Sequence, residues 1–573
     1  MDGFKATIAQ KIAALIEGAD SGAIQAMIAP CRRKELGDLS VPCFRLKRHF
    51  ADQSPPQIAQ TLATKLAHMG GVTATGPFLN FRLDEAAVAR GLLGPIVSDE
   101  NWGGSQDGAG KTIVIDYSSP NIAKPFGIGH LRSTVIGRAI KRLYESQGYK
   151  VVGVNHIGDW GTQFGFMIAA WKRWGDEVKD RSDRIDAFYE LYVRINALAK
   201  EDESVRVEAR GWFKKLEDGD EEALELWRFF RSNSLAEFQR IYELLGVSFE
   251  EIAGEAFYND KMAPVLERIV AKGITKISEG ALIIDLDEQQ EGLGKCLLRK
   301  ADGATLYATR DLAAAYYRHE SYQPEKIIYV VGVPQSLHFQ QLFKVVELMG
   351  EDWAGGLTHV AFGHYLGMKT REGNLVFLDE VIERAQGLAG EIAAGIERQE
   401  KLGLSEEEIR EVAIKVGIGA VVFFDLGSKR TKDITFDWDR MLQLKGDAGP
   451  YLQFGYARAC GILRKNDRPL SSEVDFAALY AVPENEKDRT RELVKELGRY
   501  PEILRRALAE HEPSLVSHYL LDLSKAWHRF AHDCNVIRSE DALRNARALL
   551  VEATRRVFGK ALDILGIPVM EKM

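Results

Sequence analysis

Residues 111–140 read KTIVIDYSSPNIAKPFGIGHLRSTVIGRAI. KTIVIDY has the short length and β-branched density of a buried strand. SSPN follows as a loop, and Pro120 and Pro125 keep helix out of it. GHLRSTVIGRAIKRLYESQG then carries the periodicity of an amphipathic helix. A strand that delivers a loop to a helix N-terminus is the geometry that binds phosphate, because the unpaired N–H groups of the first turn and the helix dipole both favour an anion there. Gly127 and Gly129 let a ligand approach the backbone closely, and His130 stands at the mouth beside them. By its residues alone the stretch is a nucleotide phosphate site with a basic side chain.

The 573 residues are too many for one core and predict three or four domains. With 46% hydrophobic and 28% charged residues the composition is that of a globular protein, and no apolar run reaches the roughly 18 residues that a membrane span needs. MDGFKATIAQKIAALIEG begins with an acid and alternates helically, unlike a signal peptide. Cys31, Cys43, Cys296, Cys460 and Cys534 are scattered without a CxxC pair, which suits a reducing cytoplasm and argues against a disulfide framework or a zinc site. The net charge of −8 gives no sign of a nucleic-acid partner, yet the stretch from Arg440 onward is mildly basic.

The second short strand, YKVVGVN, follows the first helix as a right-handed βαβ crossover requires, and leads into another Gly-rich loop, NHIGDWGTQFG. His156, Asp159, Trp160 and Gln163 stand together in it. Taken alone, Asp159 reads as a helix N-cap. Two Gly-rich loops at the ends of adjacent parallel strands nevertheless converge on one crevice, where ligands bind in such sheets. A charged, acidic helical insertion occupies about 170–248, and nothing in it looks catalytic. KIIYVVGVPQSLHFQQLFKVVELMG supplies a further strand, loop and helix. Before the first strand, two helical stretches flank CRRKELGDLSVPCFRLKR, GPFLNFRLD alternates like a strand, and NWGGSQDGAGK marks a boundary. From about 386 onward long amphipathic helices predict a bundle.

SSPNIAKPFGIGHLRSTVIG resembles the arginyl-tRNA synthetase version of the class I aminoacyl-tRNA synthetase signature H-x-G-H, with Gly127 in the place of the first His. NHIGDWGTQFG, SKRTKDITFDWDRML, GDAGPYLQFGYARACGILRK and the pattern GDLS…GPFLNFRL are similar to further segments of that family, in the expected order and over essentially the whole chain. The resemblance implies an α/β fold: a Rossmann-like class I catalytic domain with an α/β N-terminal domain and an all-α C-terminal anticodon-binding bundle. The implied bounds are 1–108 for the N-terminal domain, which in the family touches the tRNA corner, and 109–385 for the catalytic domain with its insertion. A connecting helical segment then spans 386–450 and the bundle 451–573. Arg32, Arg33 and Lys34 are a short basic run that would suit the tRNA corner, though such a run is also ordinary surface.

The implied activity is that of a bacterial-type arginine–tRNA ligase. It would activate L-arginine with ATP, as its Mg2+ complex, to arginyl-adenylate in a tRNA-dependent step, and pass arginine to the 3′ end of tRNA(Arg). A monomer in the cytoplasm is expected, with no protein-bound structural metal. Such a reaction needs alignment and charge neutralisation at the phosphates rather than a covalent nucleophile. His130 would supply part of this. The second class I signature, two lysines in K-M-S-K-S, is here Gly367-Met368-Lys369-Thr370-Arg371, so Lys369 and Arg371 are the cations that remain, Met368 lies at the nucleotide, and Lys124 would supply the missing charge.

A guanidinium is permanently charged and planar with five donors, so its pocket needs carboxylates and an aromatic face. Tyr307 and Asp311 lie four residues apart in LYATRDLAA, read as a strand-to-helix turn with Thr309 as N-cap. Gln335 follows the next strand, and Glu255 is a second carboxylate. Each matches a position the family uses for the arginine side chain, while Ser119 and Asn121 match those that hold its backbone end. Tyr451, Phe454 and Arg458 match the family's anticodon contacts, where unstacked bases want aromatic platforms with nearby cations. Two rivals stand beside this reading: a synthetase relative that binds tRNA without catalysis, and another nucleotidyltransferase acting on a small acid. The second leaves the N-terminal domain and the bundle without a role.

Overall fold

The structure, a computed structural model, describes residues 2–573 apart from 32, 51, 302, 304–306, 368–377, 379, 382, 385–386, 388–404, 442–445 and 472. The chain forms two compact units, one of Met1–Trp102, Arg458–Glu502 and Asp522–Val557, the other of Gly103–Ala457, Ile503–Leu521 and Phe558–Met573. Among the described residues no helix is long and apolar enough to cross a membrane.

The first unit opens with helices α1 (Asp2–Ala13) and α2 (Ser21–Met27), then strands β1 (Ala29–Pro30) and β2 (Leu39–Pro42), helix α3 (Pro55–Lys65), strands β3 (Val72–Thr75) and β4 (Phe78–Phe81), and helix α4 (Glu85–Ser98). Helix α3 starts where the sequence dictates: Ser54 and Gln57 close a capping box and Pro55 presets the first helical residue. The strands make an antiparallel sheet in the order β1-β2-β4-β3, and Ile58 and Leu62 of α3 pack with Leu39, Val41 and Leu79. The unit also contains bundle segments. Leu523, Trp527 and Phe530 of the helix Ser514–Asp533 are all buried, at the spacing of one apolar helix stripe.

The second unit is built on a parallel sheet. Strand β5 (Thr112–Asp116) leads through the signature loop to α5 (Ile128–Ser146) and β6 (Lys150–Asn155). The insertion follows as α6 (Thr162–Val178), α7 (Arg184–Glu201), α8 (Glu203–Glu217) and α9 (Glu221–Leu245), ending at β7 (Glu251–Ile252). After α10 (Met262–Ala271) a small antiparallel sheet of β8 (Lys276–Ser278), β9 (Ala281–Asp285) and β10 (Lys295–Arg299) intervenes. Helix α11 (Tyr307–Tyr322), β11 (Lys326–Gly332), α12 (Ser336–Leu348) and β12 (Leu357–Phe362) complete the domain. The sheet order is β12-β11-β5-β6-β7. The chain winds outward from β5 on one side and from β11 on the other, so the strand order reverses between β5 and β11, and the crevice beyond their carboxyl ends is where such sheets bind ligands. Further on, β13 (Tyr365–Leu366) pairs in parallel with β14 (Ile434–Thr435), and helix α13 (Glu406–Leu426) packs on helix α14 (Gly449–Lys465). The close approach of the last two is set by glycine: a Cβ on Gly449 would come 2.1 Å from the carbonyl oxygen of Gly419.

Candidate active site

The loop between β5 and α5 carries two non-glycine residues in the left-handed region, Ser118 (φ 56) and Ala123 (φ 60). Such residues cost free energy and persist where their surroundings over-determine them. Ser118 is held on every polar atom. Its N–H donates to Ser133 Oγ at 3.0 Å, its Oγ accepts from Thr134 Oγ1 at 2.6 Å and meets the Tyr242 hydroxyl at 3.0 Å, and its carbonyl accepts from Asn155 Nδ2. The Ala123 N–H donates to Ser234 Oγ at 2.9 Å. Tyr242 and Ser234 belong to α9, so the insertion buttresses the signature loop. The two Gly-rich loops meet as expected: Asn121 and Gly158 form a parallel bridge, and a Cβ on Gly158 would lie 2.1 Å from Asn121 Oδ1.

Gly127 is the N-cap of α5 and His130 sits in its first turn. A Cβ on Gly129 would meet nothing within 4 Å, leaving that face of the helix start open. The His130 ring packs at 5.5 Å from Phe126 and its Nδ1 is buried without a hydrogen-bond partner. Burial, then the charge of Lys124, push the imidazole down to about 4. Both effects favour the neutral imidazole in the free site. The Nζ of Lys124 lies 4.6 Å from the ring centroid of Tyr192 on α7.

A second group of the expected site residues is acidic. Tyr307 and Asp311 both lie in α11, one turn apart on the same face, rather than across a strand-to-helix turn. Thr309 is not a cap either: it is inside the helix, and its Oγ1 donates to the Leu298 carbonyl at 2.6 Å. Tyr307 is 68% exposed. The Asp311 Oδ2 accepts from His338 Nε2 at 2.6 Å, with the two side chains 27% and 23% exposed. Glu255 is half-buried near Arg310, Asp311 and Asp159. Burial is the main reason its carboxyl rises to about 7, the two neighbouring acids add to it, and Arg310 opposes it. Asp159 does not cap α6, whose N-cap is Gly161. Its carboxylate instead takes Arg231 Nε at 2.8 Å and the Ala256 N–H at 2.9 Å, which fixes the segment that carries Glu255. Ser119 Oγ donates to Asp116 Oδ1 at 3.3 Å, Asn121 is exposed, and Gln335 is exposed in the 3-10 turn Val333–Gln335, three residues past the end of β11.

The other expected site residues fall elsewhere. Tyr451 and Phe454 lie on α14, with Phe454 42% exposed. Arg458 is engaged in the bundle, where Nη2 donates to the Ala531 carbonyl at 3.0 Å and Nη1 to His528 Nδ1 at 3.1 Å. Met368, Lys369, Arg371 and Arg32 lie outside the described residues.

Sequence reasoning missed the supports. His338, Arg318, Arg231, Tyr242, Ser234 and Tyr192 each touch a site loop or a site side chain, and four of the six come from the insertion read as uninvolved. Their chemistry is visible in sequence only as polar residues on amphipathic helices. His338 alone carried a usable sign, a His two residues into the helix that follows a loop at the sheet's carboxyl edge.

Three family profiles match the chain: "tRNA synthetases class I (R), catalytic domain" over residues 93–438, "DALR anticodon binding domain" over 452–573, and "Arginyl tRNA synthetase N terminal domain" over 3–83. Relatives named arginine–tRNA ligase include one from Clostridioides difficile, 41% identical over 581 residues with all of both chains covered, and one from Exiguobacterium sp., 43% identical with 96% of each covered. The fold matches that of the solved Thermus thermophilus arginyl-tRNA synthetase, with a TM-score of 0.79 at 24% identity over 100% of this chain and 99% of that one. Matched by the family's catalytic-domain profile over most of its length and by full-length relatives at about 41% identity, the chain belongs to the arginyl-tRNA synthetase family of class I enzymes.

Proposed function

We propose that this chain activates L-arginine with ATP, entering as its Mg2+ complex, and transfers the arginyl group to the 3′ end of tRNA(Arg), releasing pyrophosphate and AMP. The observation that carries the substrate assignment is the neighbouring pair of carboxylates Asp311 and Glu255, in a chain whose signature loop also ends at a helix N-terminus suited to phosphate. Two carboxylates match the charge and the planar donors of a guanidinium. Ser119 and Asn121 would hold the amino-acid backbone, with Tyr307 and Gln335 closing over the side chain. Lys124 and His130 would stabilise charge that builds on the phosphates in the transition state, together with Met368, Lys369 and Arg371 from the second signature. Tyr451, Phe454 and Arg458 would meet the anticodon, and the first 108 residues the tRNA corner, where the exposed edge-to-face pair Phe44 and Phe78 is flanked by Arg45, Lys47 and Arg48. The enzyme would work as a monomer in the cytoplasm.

Aminoacylation of tRNA(Arg) with each amino acid in turn tests the assignment: arginine alone should be accepted. Asp311→Asn should raise the arginine KM by more than a hundredfold while ATP binding survives, because the substituted pocket leaves a guanidinium without its counter-charge, a loss of about 3 kcal/mol. An arginine KM within a few-fold of the parent would overturn the pocket assignment.

A further inference from the structure

We infer that His338 is a positioning residue for substrate selection: it pins one oxygen of Asp311 so that the other is presented, ionised and correctly aimed, to the arginine guanidinium. The inference deepens the proposed function and rests on Asp311 as the guanidinium partner.

The contact is the 2.6 Å hydrogen bond between His338 Nε2 and Asp311 Oδ2. Asp311 lies where burial by itself would raise its carboxyl. The His338 hydrogen bond, with His156 and Arg318 nearby, outweighs that effect and holds the group below the usual carboxylate range. An ionised carboxylate only accepts, so Nε2 is the donor and carries the proton. With Oδ2 engaged, the plane of the carboxylate is fixed and Oδ1 is left to accept from a guanidinium, whose donors lie in a plane.

Both partners stand on rigid elements. Helix α11 is anchored by the buried pair of Arg318 with Asp116 and by Thr309 on the Leu298 carbonyl. Helix α12 is anchored by Phe339, next to His338, whose ring packs at 4.9 Å on Tyr329 and stacks at 4.6 Å on His359. A side chain held this way sets direction as well as charge, which is what a support for a binding group must do. His338 itself does not need to touch the substrate. Its loss would leave Asp311 free to rotate and, lacking its strongest counterweight to burial, more easily protonated.

The two amide residues separate this role from mere packing, because the Gln side-chain amide reaches where Nε2 lies whereas the Asn amide is shorter and stops near Nδ1. His338→Gln should keep the arginine KM within about threefold of the parent enzyme. His338→Asn should raise it at least tenfold. Neither should change the ATP KM, or kcat at saturating arginine, by more than about threefold. The measurement is aminoacylation of tRNA(Arg) by the full-length protein over a range of arginine concentrations. Equal behaviour of the two variants, whether both unchanged or both impaired, overturns the inference. Asp311→Asn in the same assay tells the two failures apart. If that variant binds arginine normally, the pocket reading falls. If it loses arginine while both His338 variants match the parent enzyme, only the role of His338 falls.

Discussion

Arg318 of α11 closes a 2.8 Å ion pair with Asp116 at the end of β5, and the two side chains are only 1% and 7% exposed. The pair ties the helix that carries Asp311 to the strand that opens the signature loop. Asp116 also accepts from Ser119, so one buried charge organises both ends of the expected amino-acid site.

Breaking that pair from one side strands the other charge in a low-dielectric interior. Arg318→Met should therefore cost about 3–5 kcal/mol of stability and raise the arginine KM. Asp116→Asn added to Arg318→Met removes the stranded charge and should recover part of the loss. Denaturant unfolding of the parent, both single variants and the double variant gives the coupling between the sites. Strictly additive losses would show that the pair contributes nothing as a pair.

Glu255 should make arginine binding pH-dependent. Its folded-state carboxyl sits near 7, well above the roughly 4.3 of an unfolded glutamate. A raised acid binds its proton more tightly in the folded chain, so its penalty on stability is absent below about pH 4 and complete above about pH 7. A guanidinium prefers the charged form, so the sign for binding is the opposite. The arginine KM should fall as pH rises through about 7 and then level off, and Glu255→Gln should flatten the profile at the high-KM end. A parent KM that stays constant between about pH 6 and pH 8 would remove Glu255 from the pocket.

Much of this arrangement was legible in the sequence because it is local. A β-branched strand, a Pro-bounded loop and an amphipathic helix announce themselves over thirty residues, and β5, the signature loop and α5 appear where KTIVIDY and GHLRSTVIG predict them. The convergence of the two Gly-rich loops also followed, since neighbouring parallel strands must bring them together, as Asn121 and Gly158 do. The supports were not legible. Asp159 reads as a cap from its neighbours, but its partner Arg231 lies 72 residues away, and only the packing of α9 brings it there. Thr309 failed in the same way: its hydroxyl serves β10, which no spacing within LYATRDLAA reveals. Burial and the charge of Lys124 push the His130 imidazole down to about 4, an environment that its place in the sequence does not reveal.

Lys124→Ala should lower kcat for activation about a hundredfold and change the arginine KM little. Burial holds His130 below the usual imidazole range, so in the proposed mechanism Lys124 would be the charge that meets the phosphates as negative charge builds on them. Lys124→Arg should recover part of the rate. Tyr192→Phe, which keeps the aromatic face under the ammonium, should be nearly silent, and Tyr192→Leu should cost part of the same rate. Unchanged turnover in Lys124→Ala would return the residue to the solvated surface and leave Lys369 to do the work.

The last prediction concerns when activation becomes possible. The free site lacks the first His of its signature and the usual pair of lysines, burial favours the neutral form of its one signature His, and Lys124 rests on Tyr192. Completing such a site calls for a closure that another ligand drives, as in induced fit. A physical connection to the expected anticodon platform exists within the second unit. Tyr451 lies on α14, whose Gln453 Nε2 donates to the Lys415 carbonyl of α13 at 2.9 Å. Near the C-terminal end of α13, buried Asp425 lies 3.6 Å from the Arg132 guanidinium of α5 and accepts from the Tyr365 hydroxyl at 2.7 Å, and Tyr365 stands two residues before the second signature. These contacts offer a route by which a shift of α14 would reach the signature helix. We expect no measurable arginine-dependent pyrophosphate exchange until tRNA(Arg) is added. Tyr451→Ala and Asp425→Asn should each weaken that activation more than they weaken binding of arginine or ATP, because neither residue touches the crevice. Robust exchange by protein verified to be free of tRNA would sink the requirement for tRNA, while leaving the arginine assignment to stand on Asp311 and Glu255.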